Sequence, residues 1–229
     1  PNQGDAWQFM LDEVDAIFQN LKHKKINIRK LPDIELFKRL KINEVPHELI
    51  DWAGLNIFMR IQKLAVRTAE MHIALGSDVH ETAFTPTTYN GDYTVWLKNR
   101  LTYQFQNRLN ILENNLHKLD GLALELANQF LDHKKEIRNL FLDFDWTKMK
   151  SERIRIHGDY HLGQVLVNGD DFFILDFEGE PESTIRDRKV KQPPLKDVAG
   201  MFRSFHYSIY ATIFNNKEKL LLTGTILNH

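Results

Sequence analysis

The sequence predicts an α+β fold, mostly helical, in which a long helical region precedes a small β-hairpin. Two observations carry this. From the amino terminus to about residue 150, apolar residues recur at helical spacing; after Lys150, short β-prone runs separated by polar turns take over. Helices first and a hairpin later favours α+β over a regularly alternating layout. The expected division is therefore 1–150 and 151–229.

Asp5 reads as the N-cap of a first helix with Trp7, Met10, Leu11, Val14, Ile17, Phe18 and Leu21 on its apolar face. A basic connector, KHKKINIRKLPD, reads as a solvated loop, with a phosphate-binding patch as the second reading. Trp52 to Leu75 forms the next helix, its face made by Ile57, Phe58, Ile61, Leu64, Ala65, Thr68, Met71 and His72, and Gly76 stands at the C′ position. His72 reads as a satisfied core histidine. A loop ending at Asn90-Gly91 leads to helices over Tyr93–Leu119 and Leu122–Phe141, broken at Asp120-Gly121, a short break that favours an antiparallel pair. The aromatics Trp52, Tyr93, Trp96 and Tyr103 suit core packing better than sugar stacking.

Three strands are expected next, at Arg153–Ile156, Gln164–Val167 and Phe172–Phe177, the last two joined by the turn Asn168-Gly169-Asp170-Asp171. A polar loop spans Glu180–Pro194, and a helix runs from Leu195 to about Phe214.

Composition excludes several classes of function. The 30 basic and 31 acidic residues nearly cancel, so no overall electrostatic footprint points to nucleic acid or an anionic membrane. With 0 cysteines there are no disulfides, thiolate nucleophiles or Cys-ligated zinc, which is compatible with a reducing cytoplasm. No apolar run approaches the roughly 20 residues of a membrane span, and PNQGDAWQFM lacks the features of a signal peptide. Without an initiator Met, and with LLLTGTILNH at its end, the chain reads as a segment of a longer one.

The chemistry concentrates in IHGDYHLGQVLVNGDDFFILDFEGEP. Asp159 is the candidate base: a sugar hydroxyl is a poor nucleophile, and a carboxylate within reach orients it and accepts its proton late in transfer. Gln164 offers a neutral oxygen to a hard cation such as Mg²⁺. Asp176 closes an apolar strand, where an acid is costly without a metal or cationic partner. Glu178 and Glu180 follow at alternate positions, so both would face the same way as Asp176 in an extended chain; a solvated loop is the other reading. The H-x-D-x-H of His157, Asp159 and His161 also permits a zinc or iron cluster, but Gly158 and Gly163 argue for a tight loop. His157 then holds the loop and His161 is free to touch substrate. Asp197 either caps the last helix or reaches back to the 157–163 loop, and Arg203 faces either the cleft or solvent.

HGDYHLGQVL followed by LDFEGEP resembles the catalytic loop and metal segment of the aminoglycoside phosphotransferase-like kinases. Gln164 stands where that superfamily usually has Asn. This, together with DFEGEP, PLKDVAGMFRSFHYS, RTAEMHIAL and PNQGDAW, resembles the maltokinases, especially those fused to a trehalose synthase. The resemblance implies a protein-kinase-like fold with 1–150 as a helical intermediate or cap region and 151–229 as the catalytic core of the C-lobe. It also implies ATP- and Mg²⁺-dependent phosphorylation of maltose to maltose 1-phosphate. On it, Asp159 is the base, Gln164, Asp176 and Glu178 belong to the metal site, His161 and Arg203 contact sugar, and His157 and Asp197 support the loop.

No β-rich segment or Gly-rich loop precedes residue 150, so the chain is expected to lack the N-lobe and to be nearly inactive alone. Two readings stay beside maltose: a phosphotransferase acting on another small hydroxyl compound, and a non-catalytic domain that docks on or regulates a trehalose synthase.

Overall fold

The structure is a computed structural model that describes residues 2–24, 40–78 and 80–215. The chain divides into two compact units, one made of Pro1–Pro86 with Ile154–His229, the other of Thr87–Arg153. The basic connector beyond Lys24, the side chain of Leu21 and the apolar end after Asn215 lie outside the described residues.

The first unit opens with α1 (Ala6–Lys24), α2 (His47–Ala53) and α3 (Leu55–Leu75). Helix α1 starts where it does because Asp5 Oδ1 accepts the Gln8 N–H at 2.8 Å. It buries Ala6, Met10, Val14 and Phe18, one residue per turn of the same face. The helix expected from Trp52 is two: Gly54, at φ 85, breaks it between α2 and α3. Helix α3 buries Ile57, Leu64, Thr68 and Met71, whereas Ile61 and Ala65, expected on that face, are exposed. Apolar periodicity marks a face; it does not decide how far the neighbouring elements cover it.

The second unit holds β1 (Thr87–Thr88), α4 (Gly91–Asn115), α5 (Gly121–Asp132), α6 (Lys134–Leu142) and β2 (Glu152–Arg153), with β1 and β2 antiparallel. Asn90 caps α4 by accepting the Tyr93 N–H at 3.0 Å. The single helix expected over Leu122–Phe141 is interrupted at His133, which separates α5 from α6. Tyr93 is buried between Tyr89, edge-on at 5.0 Å, and Trp96, stacked at 5.4 Å, with the Arg153 guanidinium 4.5 Å from its ring. Burial holds the Tyr93 phenol above the usual tyrosine range. Tyr103, by contrast, is 72% exposed.

The chain then returns to the first unit with β3 (Val165–Asn168), β4 (Asp171–Ile174), α7 (Ile185–Arg188) and α8 (Leu195–Phe214). Strands β3 and β4 pair antiparallel with Asn168 opposite Asp171, so Gly169 and Asp170 form a two-residue loop. Gly169, at φ 60, supplies the first turn position that hairpin twist requires. Backbone beside α1 extends the hairpin: Gln3 N–H donates to Val167 O at 2.8 Å, and Val167 N–H to Gly4 O at 3.0 Å. The strand expected over Arg153–Ile156 is shorter, since only Ile154 continues it, bridging Gln192. Strand β4 ends at Ile174, not Phe177, and the polar loop over Glu180–Pro194 contains α7, whose start is capped by Thr184. Helix α8 packs along α1, and together with Tyr160, Leu162, Val165, Val167 and Phe172 they close the core.

Helix α3 also grips the hairpin tip. Arg67 donates to both oxygens of Asp171 at 2.7 and 2.6 Å, and Arg60 donates to Gly169 O at 3.0 Å while lying 4.8 Å over the Phe9 ring. Fork-to-fork guanidinium bonding holds the Asp171 carboxyl well below the usual carboxylate range. Among the described residues, no helix is long and apolar enough to cross a membrane.

The lowered Asp171 pKa gives stability that is present above its unfolded value near ~3.9 and lost as pH falls through the folded value. Asp171→Asn is therefore expected to be less stable than the parent in denaturant unfolding at pH 7, with the gap closing below about pH 4. A gap independent of pH would show that the ion pair is not its source.

Candidate active site

The loop from Ile156 to Gln164 is fixed by a buried carboxylate. Asp197, in the first turn of α8, is 2% exposed. Its Oδ2 accepts the His157 N–H and the His72 Nε2–H, each at 2.9 Å, and its Oδ1 accepts the Gly158 N–H at 2.9 Å. The helix therefore does not spend this acid on its own cap. Loop residues further on are tied too: Leu162 N–H donates to Ser204 Oγ at 3.0 Å, and Tyr160 O–H bonds Thr68 Oγ1 at 2.7 Å. Burial pushes the Tyr160 phenol up to about 12.

Close backbone approaches shape the same loop. Gly158, at φ 89, sits against Gly179, at φ 79, where a Cβ on the former would stand 3.2 Å from the latter's Cα. Gly200 lets α8 pass the Tyr160 carbonyl so closely that a Cβ there would lie 2.7 Å from the oxygen.

His157 is buried and links two parts of the site. Its Nε2 bonds the Leu175 carbonyl at 2.8 Å, and its Nδ1 lies 3.4 Å from the Asp159 N–H. A carbonyl only accepts and an amide only donates, so the hydrogen is on Nε2. One imidazole thus spans the residue at Asp159 and the residue before Asp176. With both nitrogens engaged, His157 has no lone pair for a metal, which removes it from the zinc or iron cluster that H-x-D-x-H permits. Among the described residues, no three His, Cys, Asp or Glu side chains are grouped to hold a metal ion.

Asp159 projects from the fixed loop with its side chain 33% exposed, 3.8 Å from His161 Nε2. Asp159, His161, Glu180, Arg203 and Tyr207 line one cavity of about 1050 Å³, with Trp7, Tyr210 and Phe214 on its apolar wall. His161 Nδ1 accepts the Gly163 N–H at 3.1 Å, which aims the ring. The Arg203 guanidinium lies 4.8 Å from the Tyr207 ring centre and bonds its hydroxyl.

Gln164 and Asp176 come together beside this loop, Gln164 Nε2–H donating to Asp176 Oδ2 at 2.9 Å. The amide keeps Oε1 as an acceptor. Asp176 has φ 60, the only left-handed non-glycine among the described residues. For an L-residue this conformation costs roughly 1–2 kcal/mol, and such strain persists where the surroundings over-determine it, typically at a functional site. It also ends the extended run: Phe177 and Glu178 form a turn, so the alternation expected to align Asp176, Glu178 and Glu180 does not hold. Glu178 is exposed on that turn. Glu180 faces the cavity instead, its Oε2 accepting the Ser183 hydroxyl at 2.8 Å.

The sequence did not mark Gly200, Ser204 or the part His72 plays. A glycine inside a helical pattern at residue 200 was the one available signal of a close approach.

Comparison with solved structures shows a fold shared with sugar kinases. The chain superposes on a glucosamine kinase in complex with glucosamine, ADP and inorganic phosphate with a TM-score of 0.59 at 20% identity, covering 93% of this chain and 42% of that one. A second crystal form of glucosamine kinase gives 0.60, also at 20% identity, over 93% of this chain and 41% of that one.

Among curated proteins, a glucosamine kinase of Streptacidiphilus jiangxiensis is 32% identical over 65 residues, 28% of this chain and 15% of the relative. One of Mycolicibacterium smegmatis is 43% identical over 56 residues, 24% of this chain and 14% of the relative. The relatives are thus distant, partial and sugar kinases, and they are glucosamine kinases where the motifs resemble maltokinases. No protein-family model matches the sequence.

Adding a methyl group at Gly200 forces α8 away from the Tyr160 carbonyl. Gly200→Ala is expected to cost about 1–3 kcal/mol, read as a fall of several degrees in Tm. An unchanged Tm would mean that the helix does not pass that closely.

Proposed function

We propose that the protein containing this chain is a sugar phosphotransferase that moves the γ-phosphoryl group of ATP to a hydroxyl of a small sugar, with Asp159 as its base. The observation that carries the reading is the placement of Asp159. Its carboxylate opens into a cavity with room for a sugar while the backbone on either side of it is tied down, and His157 links its loop to the segment of Asp176.

In this reading the acceptor hydroxyl donates a hydrogen bond to Asp159, which orients an oxygen lone pair at the phosphorus and takes the proton as the P–O bond forms. ADP leaves with the electrons of the broken bond. Gln164 and Asp176 fit a hard divalent cation, one supplying a neutral oxygen and the other a carboxylate, as Mg²⁺ prefers. When bound, Mg²⁺ neutralises charge on the phosphates. Glu178, exposed on the turn after Asp176, is assigned to this site as an accessory acid by the motif resemblance alone. His161 and Arg203 contact the sugar from the cavity wall, and His157 with Asp197 holds the loop. The nucleotide-holding N-lobe is read as lying outside these residues, with this chain supplying the helical region and the C-lobe core.

Glucosamine is the first acceptor to test, because the named relatives are glucosamine kinases and the Glu180 carboxylate in the cavity suits an ammonium group. Maltose is the second, supported by Gln164 and the DFEGEP run. An association with trehalose synthase rests on that same resemblance.

The test is ATP-dependent phosphorylation of glucosamine, maltose and other small alcohols by the full-length protein. Turnover on a sugar is expected, and Asp159→Asn should lower kcat by about 10²–10⁴-fold. Full activity of that variant would falsify the assignment of the base. Turnover of maltose with none of glucosamine would reverse the acceptor order, and no transfer to any hydroxyl compound would leave the docking role.

A further inference from the structure

We propose that His72 is a positioning residue for the transfer: acting through Asp197, it fixes where the Asp159 carboxylate stands. The proposal rests on the reading of Asp159 as the base.

Asp197 takes three N–H donors, and their origins differ. Two are backbone amides of adjacent loop residues, His157 on Oδ2 and Gly158 on Oδ1, each at 2.9 Å. They tie the loop to the carboxylate and so to α8, the helix that carries it, but neither of them refers the loop to any other element. The third donor, His72 Nε2–H, reaches Oδ2 at 2.9 Å from α3, 125 residues away in sequence. It ties the pair to a separate, rigid element. A carboxylate only accepts, so the hydrogen is on His72 Nε2.

The opposite side of Asp159 is tied to the same helix. Thr68 lies one turn before His72, and its hydroxyl donates to Leu64 O at 2.8 Å, so at 2.7 Å it must accept from Tyr160 O–H. Residues 158 and 160 are therefore both referred to α3, one through Asp197 and His72, the other directly. Asp159 between them has its amide engaged with His157 Nδ1 at 3.4 Å, and its carboxylate, 3.8 Å from His161 Nε2, lines the cavity.

Removing the His72 N–H leaves a buried anion one donor short, on the oxygen it shares with the His157 amide. The loop then loses its reference to α3 at the residue just before the base. A displacement of about 1 Å in a reacting group costs on the order of 10²-fold in rate, whereas a histidine that merely filled the core would affect stability alone.

The test uses the full-length protein, with kcat, KM for sugar and ATP, Tm and amide hydrogen exchange at residues 157 and 158 as readouts. His72→Leu is expected to lower kcat by about 10–100-fold, with both KM values within about 2-fold and faster exchange at those amides. His72→Gln, which keeps an N–H donor at similar reach, should recover most of kcat. A folded His72→Leu with parental kcat overturns the proposal, whatever its Tm. If His72→Leu does not fold, the comparison passes to His72→Gln and the shorter His72→Asn, and equal kcat in those two overturns it. Asp159→Asn run alongside separates the failures: if it is fully active, the base itself is misassigned, whereas an inactive Asp159→Asn beside an unaffected His72→Leu removes only the role of His72.

Discussion

The carboxylate of Asp197 is the constraint from which the geometry of the site follows. An unpaired anion at this depth would be costly enough to unfold its surroundings or to take up a proton. Three N–H donors hold it as an acceptor, and those donors come from the loop carrying Asp159 and from α3. Because the acid sits at the start of α8, satisfying it fixes the loop, α3 and α8 relative to one another. The glycines at 158 and 200 then follow as requirements, since backbone must approach backbone where these elements converge.

Helix α3 serves both halves of the site from three adjacent rows. Ile57, Leu64 and Met71 face the core, Thr68 and His72 hold the loop, and Arg60 and Arg67 hold the hairpin tip. The hairpin in turn delivers Gln164 at the entry to β3 and Asp176 just past β4, where Leu175 N–H closes on Gln164 O at 2.9 Å. One helix thereby helps to set both the proposed base and the proposed cation ligands, which suits a transfer in which positioning carries most of the catalysis.

Much of the helical layout was legible because it depends on local spacing. The face of α1, the extent of α8, the hairpin with its Gly169 turn and the break at Asp120-Gly121 all follow from periodicity and turn chemistry. What misled was also local: Gly54 and His133 break helices that apolar spacing runs through, and the left-handed Asp176 ends an alternation that the acids at 176, 178 and 180 suggest. An apolar stripe does not report a backbone angle, and neither does a row of acids.

The sequence by itself determined the fold class, the hairpin and the short list of groups able to do chemistry, because residue type and near spacing suffice for those. Only the tertiary structure decided how the groups are used. It placed Glu180 rather than Glu178 at the cavity, engaged both nitrogens of His157, and supplied Asp197 as the partner that satisfies His72. These outcomes depend on hydrogen bonds between residues far apart in sequence, whose distances exist only once the chain has closed on itself.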